Sequence, residues 1–251
     1  MTRALVAIPS YYRPYDIERT TGHWLHKLPA HIDWKVFVRK EQMMYYEQTI
    51  RFCNLVPIEA TSFRTTVNAY AEYARKHEYD IVFRVDDDMS FKTRNYSRKE
   101  DVHLAFQYAY DRIVQEFDND PKLGAVSICK PRPFYFHKSD SLWAGENKPL
   151  FGNHVMRTEL IGMPEGVELM DDIWHSLVCR EQGYTIRRFM GAYENAMSHK
   201  NQGGMQTMDR NQATVDTIKV IAQHFPHRNI AVSTYKDTDV ADIDLKKLDL
   251  S

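Results

Sequence analysis

The strongest constraint in this chain of 251 residues is Ile81-Val82-Phe83-Arg84-Val85-Asp86-Asp87-Asp88-Met89, where an apolar run ends in three consecutive carboxylates. Such a run reads as a buried strand, and the charges mark the point where it leaves the core. In an open α/β sheet the carboxyl end of a strand is the rim where ligands bind. Three adjacent acids repel one another unless a cation or a set of donors compensates them. Hard oxygen donors suit Mg²⁺ or Mn²⁺, ions that commonly bridge to substrate phosphates. The segment predicts a divalent-metal site for a phosphorylated ligand, with a solvated acidic turn as the plainer alternative.

The remaining periodicity alternates between strand and helix. Short apolar runs predict strands over 4–8, where Pro9-Ser10 should stop the run, and over 34–38, 55–58, 124–128 and 185–189. Helical spacing predicts helices over 40–52 (Met43, Met44 and Ile50 inward), 65–77, 100–117 and 211–225. A further helix opens at Asp171 or Asp172, packs through Ile173, Leu177 and Val178, and stops at Gly183. Residues 130–152 are aromatic, basic and proline-bearing without clear period, and a loop of that length in a compact domain is usually functional. The tail after Tyr235 reads as a peripheral strap. No repeat or linker divides the chain, which predicts one α/β domain with a mostly parallel central sheet flanked by helices.

Composition narrows the function classes. The net charge of −1 gives no global basic field, so any nucleic-acid contact must come from a local patch. Cys53, Cys129 and Cys179 are isolated, as expected of reduced thiols in a cytosolic protein, and no His/Cys set has zinc spacing. The opening apolar run is too short for a signal peptide, and no segment is long enough to span a membrane. The expectation is a soluble cytoplasmic protein, in the host cytoplasm if phage-encoded. Neither G-x-G-x-x-G, G-x-x-x-x-G-K-[ST] nor G-x-S-x-G occurs, which disfavours dinucleotide-binding dehydrogenases, P-loop kinases and α/β hydrolases.

Several other residues fall at the expected rim. The first strand delivers Pro9-Ser10-Tyr11-Tyr12-Arg13-Pro14, where tyrosine can stack on a base and arginine can bind a diphosphate. Arg64 and Asn68 open the helix leading into the acidic strand; Arg64 is equally well a surface charge. Later, Tyr193 to Gly204 contains His199, a candidate to complete a metal sphere begun by Asp88, and Lys200, a candidate phosphate contact beside Gly203-Gly204. A structural histidine is the alternative for His199. Of Asp171 and Asp172, one is expected to cap the helix, leaving the other as a general base on an acceptor hydroxyl.

In this order, these segments resemble GT-A fold glycosyltransferases that use nucleotide sugars, over about residues 4–204. V-A-I-P-S-Y-Y-R-P resembles their nucleotide-binding first strand and loop, and R-V-D-D-D-M their D-x-D motif. M-D-D-I-W-H-S-L-V-C-R-E-Q-G-Y resembles their acidic helix start, where inverting members carry the catalytic base. The resemblance implies Mn²⁺ or Mg²⁺ held by Asp86, Asp88 and His199, and a nucleoside-diphosphate sugar, a UDP-sugar first. It places the donor against Pro9, Tyr11, Arg13, Arg64, Asn68, Asp86 and Lys200, with Asp171 or Asp172 as base. It divides the domain into a donor half (1–128), an acceptor half (129–235) and a tail (236–251).

The layout further resembles phage-associated enzymes that glycosylate hydroxymethylated pyrimidines in DNA, including the TET/JBP-associated group. That likeness implies duplex DNA as acceptor, met by the segment Lys130-Pro131-Arg132-Pro133-Phe134-Tyr135-Phe136-His137, whose cations and aromatics suit phosphates and bases. A lid over the donor is the other reading of that segment. Transfer to a surface glycan or small molecule, nucleotidyl transfer, and an inactive binding module are the rival functions.

Overall fold

The computed structural model describes residues 1–50, 54–129, 142–144, 149–150, 152–196, 210–228, 230, 232–234 and 241–243. In chain order the strands are β1 (Ala4–Ser10), β2 (Asp33–Arg39), β3 (Leu55–Ile58), β4 (Ile81–Arg84), β5 (Met89–Lys92), β6 (Leu123–Cys129), β7 (Trp143–Ala144), β8 (His154–Arg157), β9 (Thr185–Ala196), β10 (Val232–Thr234) and β11 (Ala241–Ile243). The helices are α1 (Pro14–Arg19), α2 (Thr21–Leu25), α3 (Met43–Thr49), α4 (Phe63–Lys76), α5 (Val102–Asn119), α6 (Asp171–Glu181) and α7 (Arg210–His224).

Nine strands form one sheet in the order β3-β2-β1-β4-β8-β6-β9-β5, with β7 on β9. β3, β2, β1 and β4 are mutually parallel. β8 runs against β4 and β6, and β6 is parallel to β9, so six of the nine strands share one direction. β5 and β7 run against β9. The chain moves outward from β1 through β2 to β3, then returns to place β4 on the opposite side of β1. This reversal makes a topological switch point between the carboxyl ends of β1 and β4.

Strand alternation sorts the core into two layers. Val6, Ile8, Ile81 and Phe83 face Trp24 of α2, Tyr46 of α3, and Phe106 and Ile113 of α5. Leu5, Ala7 and Val82 face Val67 and Tyr70 of α4, Ile173 and Leu177 of α6, and Ile218 and Ile221 of α7. β1 is buried on both faces, which is why its sequence is a continuous apolar run. α4 begins at Phe63, two residues earlier than its apolar stripe predicts, because Ser62 and Thr65 form a reciprocal capping box.

Three elements depart from expectation. β1 continues through Pro9 to Ser10. Ala7, of the same parity as Pro9, accepts from Val85 N across the β4 side, and β4 ends there, so Pro9 needs no amide for the ladder. The helix expected over 40–52 is a 3₁₀ turn (Lys40–Gln42) followed by α3, which turns Tyr46 inward and leaves Met44 exposed. β9 is more than twice the expected length because it borders β6, β7 and β5 in turn. Of the tail after Tyr235 the described part is β11, which pairs antiparallel with β10; residues 235–240 and 244–251 lie outside the described residues. Among the described residues no helix is long and apolar enough to cross a membrane.

α6 ends as expected at Gly183, which has φ +78° and closes the turn through Gly183 N to Arg180 O (3.1 Å) and Tyr184 N to Cys179 O (2.9 Å). A Cβ at Gly183 meets nothing within 4 Å, whereas at Gly166 (φ +87°) it would lie 2.8 Å from Val220 Cγ2. Gly183→Ala should therefore destabilise by about 1 kcal/mol through backbone conformation alone. Gly166→Ala should destabilise by more. Urea unfolding of both variants checks the order.

Candidate active site at the rim of the sheet

The three acids occupy the turn between β4 and β5, and the alternation of β4 carries into it. Asp86 turns toward the α4/α6 layer and Asp87 toward the α1–α3 layer. Asp87 is the most deeply buried of the three. It accepts from Ser10 Oγ (2.6 Å) and Arg13 Nη1 (3.1 Å), and its carbonyl accepts from Thr20 Oγ1 (2.7 Å). Burial pushes its carboxyl up to about 7, against the opposing pull of the Ser10 hydrogen bond and Arg13, with Asp86 and Asp88 adding to the rise. Asp88 Oδ2 lies 3.6 Å from the same Arg13 nitrogen. Ser10 Oγ also meets the Tyr46 hydroxyl at 2.7 Å, and that hydroxyl accepts from Arg13 N (3.1 Å). The end of β1 is thus welded to the acidic turn.

On the other layer Arg84, the charge inside the apolar run, is buried. Its Nη2 donates to Asp86 Oδ1 (2.8 Å), its Nη1 to Gly152 O (3.0 Å), and its Nε lies 3.5 Å from Asp171 Oδ2. Burial alone would lower its pKa, but Asp171 and then Asp86 more than offset this and hold the guanidinium charged. Asp86 N donates to Asn153 Oδ1 (2.7 Å), and Asn153 Nδ2 donates to Glu194 Oε2 on β9 (2.7 Å).

The acidic pair at α6 divides differently from the expectation. Neither acid is the N-cap: that position is Met170, in a left-handed conformation (φ 59°) with no side-chain cap bond. Asp171 is buried against Arg84. Desolvation works to raise its pKa, but Arg84 leads the charges that hold it below the ordinary carboxylate range. Asp172 is only half-buried, and its Oδ1 accepts from Ile173 N (2.9 Å) in the first turn.

Behind Arg84 lie His154 and His175, whose ring nitrogens fall within 4.8 Å of each other and of an Asp171 oxygen. The spacing fits a metal site, and His175 Nδ1 and Asp171 Oδ2 are buried without hydrogen-bond partners. Gly162 N can only donate, so His175 Nε2 accepts (3.5 Å) and the proton sits on Nδ1. Gly152 O can only accept, so His154 carries its proton on Nδ1 (2.9 Å). Burial lowers both pKa values, that of His175 to about 3, so both rings are neutral. Arg84 Nε and His175 Nδ1 are then two donors, and Asp171 Oδ2 an acceptor, left buried without a hydrogen-bond partner.

The rim therefore gathers Pro9, Tyr11, Arg13, Asp86 and Asp88, with Asp171 and Asp172 joined to them through Arg84. Tyr11 packs under the Arg39 guanidinium at 4.0 Å. Arg64 pairs with Glu168 (2.7 Å), and the Asn68 amide closes a reciprocal pair with the Met163 backbone (2.8 and 2.9 Å). Both tie α4 to the segment preceding α6. His199, Lys200 and residues 130–137 lie outside the described residues. Sequence reasoning did not single out Arg84, Asn153, His154 or His175. The available signal was a charge or imidazole at an inward position of an apolar period.

The sequence matches no protein-family model and no curated protein. Solved structures match the fold. S. aureus TarS 1–349, also solved with UDP-GlcNAc, aligns with a TM-score of 0.53 at 15% identity over 89% of this chain and 65% of that one. The mannosyltransferase PcManGT of Pyrobaculum calidifontis, in complex with GDP-Man and Mn²⁺, aligns at 0.51 and 19% identity over 90% and 63%. GalNAc-T7 with UDP, GalNAc and Mn²⁺ aligns at 0.55 and 11% identity over 78% and 44%. The chain spans less than two thirds of each of these chains. It has the GT-A fold of nucleotide-sugar glycosyltransferases.

Arg84 and Asp171 should be strongly coupled. Removing Arg84 leaves Asp171 buried without its cation, so Arg84→Met should destabilise by about 3–5 kcal/mol, whereas Asp171→Asn leaves Arg84 paired with Asp86 and should cost less. The double variant should lose far less than the sum. A double-mutant cycle by denaturant unfolding measures the coupling.

Proposed function

We propose that the protein is a metal-dependent glycosyltransferase, moving a sugar from a nucleoside-diphosphate sugar, a UDP-sugar first, to an acceptor hydroxyl. One observation carries this reading: at the switch point of a GT-A fold, the end of β1, the acidic turn after β4 and the acidic start of α6 meet through direct polar contacts. The donor belongs against Pro9, Tyr11 and Arg13, with Arg64 and Asn68 supporting from α4. The fold neighbours solved with UDP-GlcNAc, and with GDP-Man and Mn²⁺, support that class of donor.

Asp86 and Asp88 fit a hard divalent cation better than Asp87 does. Asp86 keeps 37% of its side chain exposed, whereas the Asp87 carboxylate is sealed against Ser10 and Arg13. Asp86 and Asp88 would hold Mn²⁺ or Mg²⁺, with His199 as a further ligand and Lys200 on phosphate. When bound, the cation neutralises charge developing on the departing diphosphate. Arg13 adds a fixed positive charge beside Asp88. Of the acidic pair, Asp172 is assigned as the base that takes the acceptor proton, because Asp171 is buried and neutralised by Arg84.

The acceptor we assign is the hydroxymethyl group of a modified pyrimidine in DNA, reached in the major groove or by base flipping. The support is the basic aromatic segment Lys130–His137, which directly follows β6 in the chain. A nucleotidyltransferase is disfavoured, since the loop 9–14 carries no glycine to cradle a triphosphate.

Asp88→Asn should abolish metal-dependent turnover while leaving the unfolding transition in place, read by release of nucleoside diphosphate from wild type and variant. Wild-type turnover in the folded variant would remove Asp88 from the site, and release of pyrophosphate would identify a nucleotidyltransferase instead. Asp172→Asn should lower kcat by about 100-fold or more with donor affinity retained. An unchanged rate would move the base elsewhere.

For the acceptor, affinity for duplex DNA should fall as salt rises, and replacing Lys130 and Arg132 together should flatten that slope with donor affinity unchanged. Sugar transfer to hydroxymethylated but not to unmodified DNA is the expected result. Transfer to neither returns the acceptor to a surface glycan or a small molecule.

A further inference from the structure

The start of α6 lacks the device that usually fixes a helix entrance. Met170 supplies no side-chain cap bond, and the first-turn amide of Ile173 is met instead by Asp172 Oδ1 (2.9 Å). The turn is tied by Trp174 Nε1 to Gly162 O (2.7 Å), and the inward Asp171 adds an ion pair with Arg84 of β4, Oδ2 to Nε 3.5 Å. Successive residues of a helix are rotated about 100° around its axis. Fixing the direction of Asp171 therefore fixes where Asp172 points.

We infer that Arg84 is a positioning residue, holding the base Asp172 in register with the acidic turn by bridging Asp86 and Asp171. The inference rests on the assignment of Asp172 made above. The same guanidinium reaches Asp86 Oδ1 through Nη2, Gly152 O through Nη1 and Asp171 through Nε, so one planar group spans both halves of the site. Lysine carries the same charge but cannot present this fork in three directions. The two halves depend on Arg84 unequally. Asp86 keeps a second anchor through its backbone amide on Asn153, whereas Asp171, besides Arg84, faces two neutral imidazoles and the Asp172 amide of its own turn. Loosening Arg84 should therefore displace the base more than the donor acids, and a misplacement of about 1 Å can cost about 100-fold in rate.

The test is Arg84→Lys in the full chain, with Asp171→Asn as the second variant from the other end of the contact. Both should keep donor KM within about twofold while kcat falls about 100-fold. Hydrogen exchange should quicken at the Trp174 amide, which closes the first turn on Met170 O (2.9 Å), relative to the amides at the far end of α6. A kcat equal to wild type in folded Arg84→Lys overturns the inference, as does a KM that rises in step with the loss. First-turn exchange that stays at the wild-type rate overturns it as well. If the wild type transfers no sugar, the reading of function falls, and the exchange comparison still decides whether Arg84 holds the turn.

Discussion

The parallel pairing of β1 with β4 is the constraint on which the site depends. Their register sets Ala7 beside Arg84, so both strands run out at the same edge of the sheet. The loop after β1 and the turn after β4 are thereby forced into contact although they are far apart in the chain. Ser10, Tyr46, Arg13 and Asp87 convert that contact into a closed hydrogen-bonded set. A shift of one residue in this pairing would reverse the facing of every side chain in β4 and carry Arg84 away from Asp171.

Alternation along β4 also resolves the electrostatic conflict of three adjacent carboxylates. Like charges on one face would repel strongly in a partly dry site. Instead Asp86 and Asp87 are sent to opposite layers, each meeting its own arginine: Arg84 on the α6 side, Arg13 on the α1 side. Asp87, the most buried, has its pKa pushed up to about 7 by burial and works as an internal tie. Asp88 lies at the turn itself, with Arg13 as its cation neighbour. The D-x-D reading, in which the outer two acids serve the ligand, is thus compatible with how strand geometry distributes them.

The sequence disclosed the parallel half of the sheet well because those strands are buried on both faces. Ala4 to Ile8 and Ile81 to Phe83 are unbroken apolar runs, a pattern few other elements produce. The rim residues of β1 and β4 followed directly. Less legible was anything set by pairing rather than by local pattern. β9 reads as a five-residue strand over Thr185–Phe189, yet its partners extend it to Ala196. Tyr46 displaced Met44 from the interior because its hydroxyl completes the Ser10 network, a requirement invisible in the spacing of apolar residues. Asp171 and Asp172 are chemically identical neighbours, and only burial against Arg84 tells them apart.

Arg84 shows why a charge is retained inside an otherwise apolar strand. A buried ion pair is often no more stabilising than well-packed apolar residues of similar volume, so stability is a weak reason for its presence. It does supply direction. An apolar contact at the entrance of α6 would hold the helix against the sheet while leaving its rotation and axial position soft. A guanidinium with three separate partners restrains both, and it joins two carboxylates contributed by distant parts of the chain. The neutral rings of His154 and His175 fill the space behind it with polar groups that add no competing charge. Desolvation of this cluster strengthens the Arg84–Asp171 attraction, which acts beside the Trp174 Nε1–Gly162 O bond at the same turn. The rigidity of this rim thus comes from a contact within the protein's interior, one layer beneath the exposed face of the acidic turn.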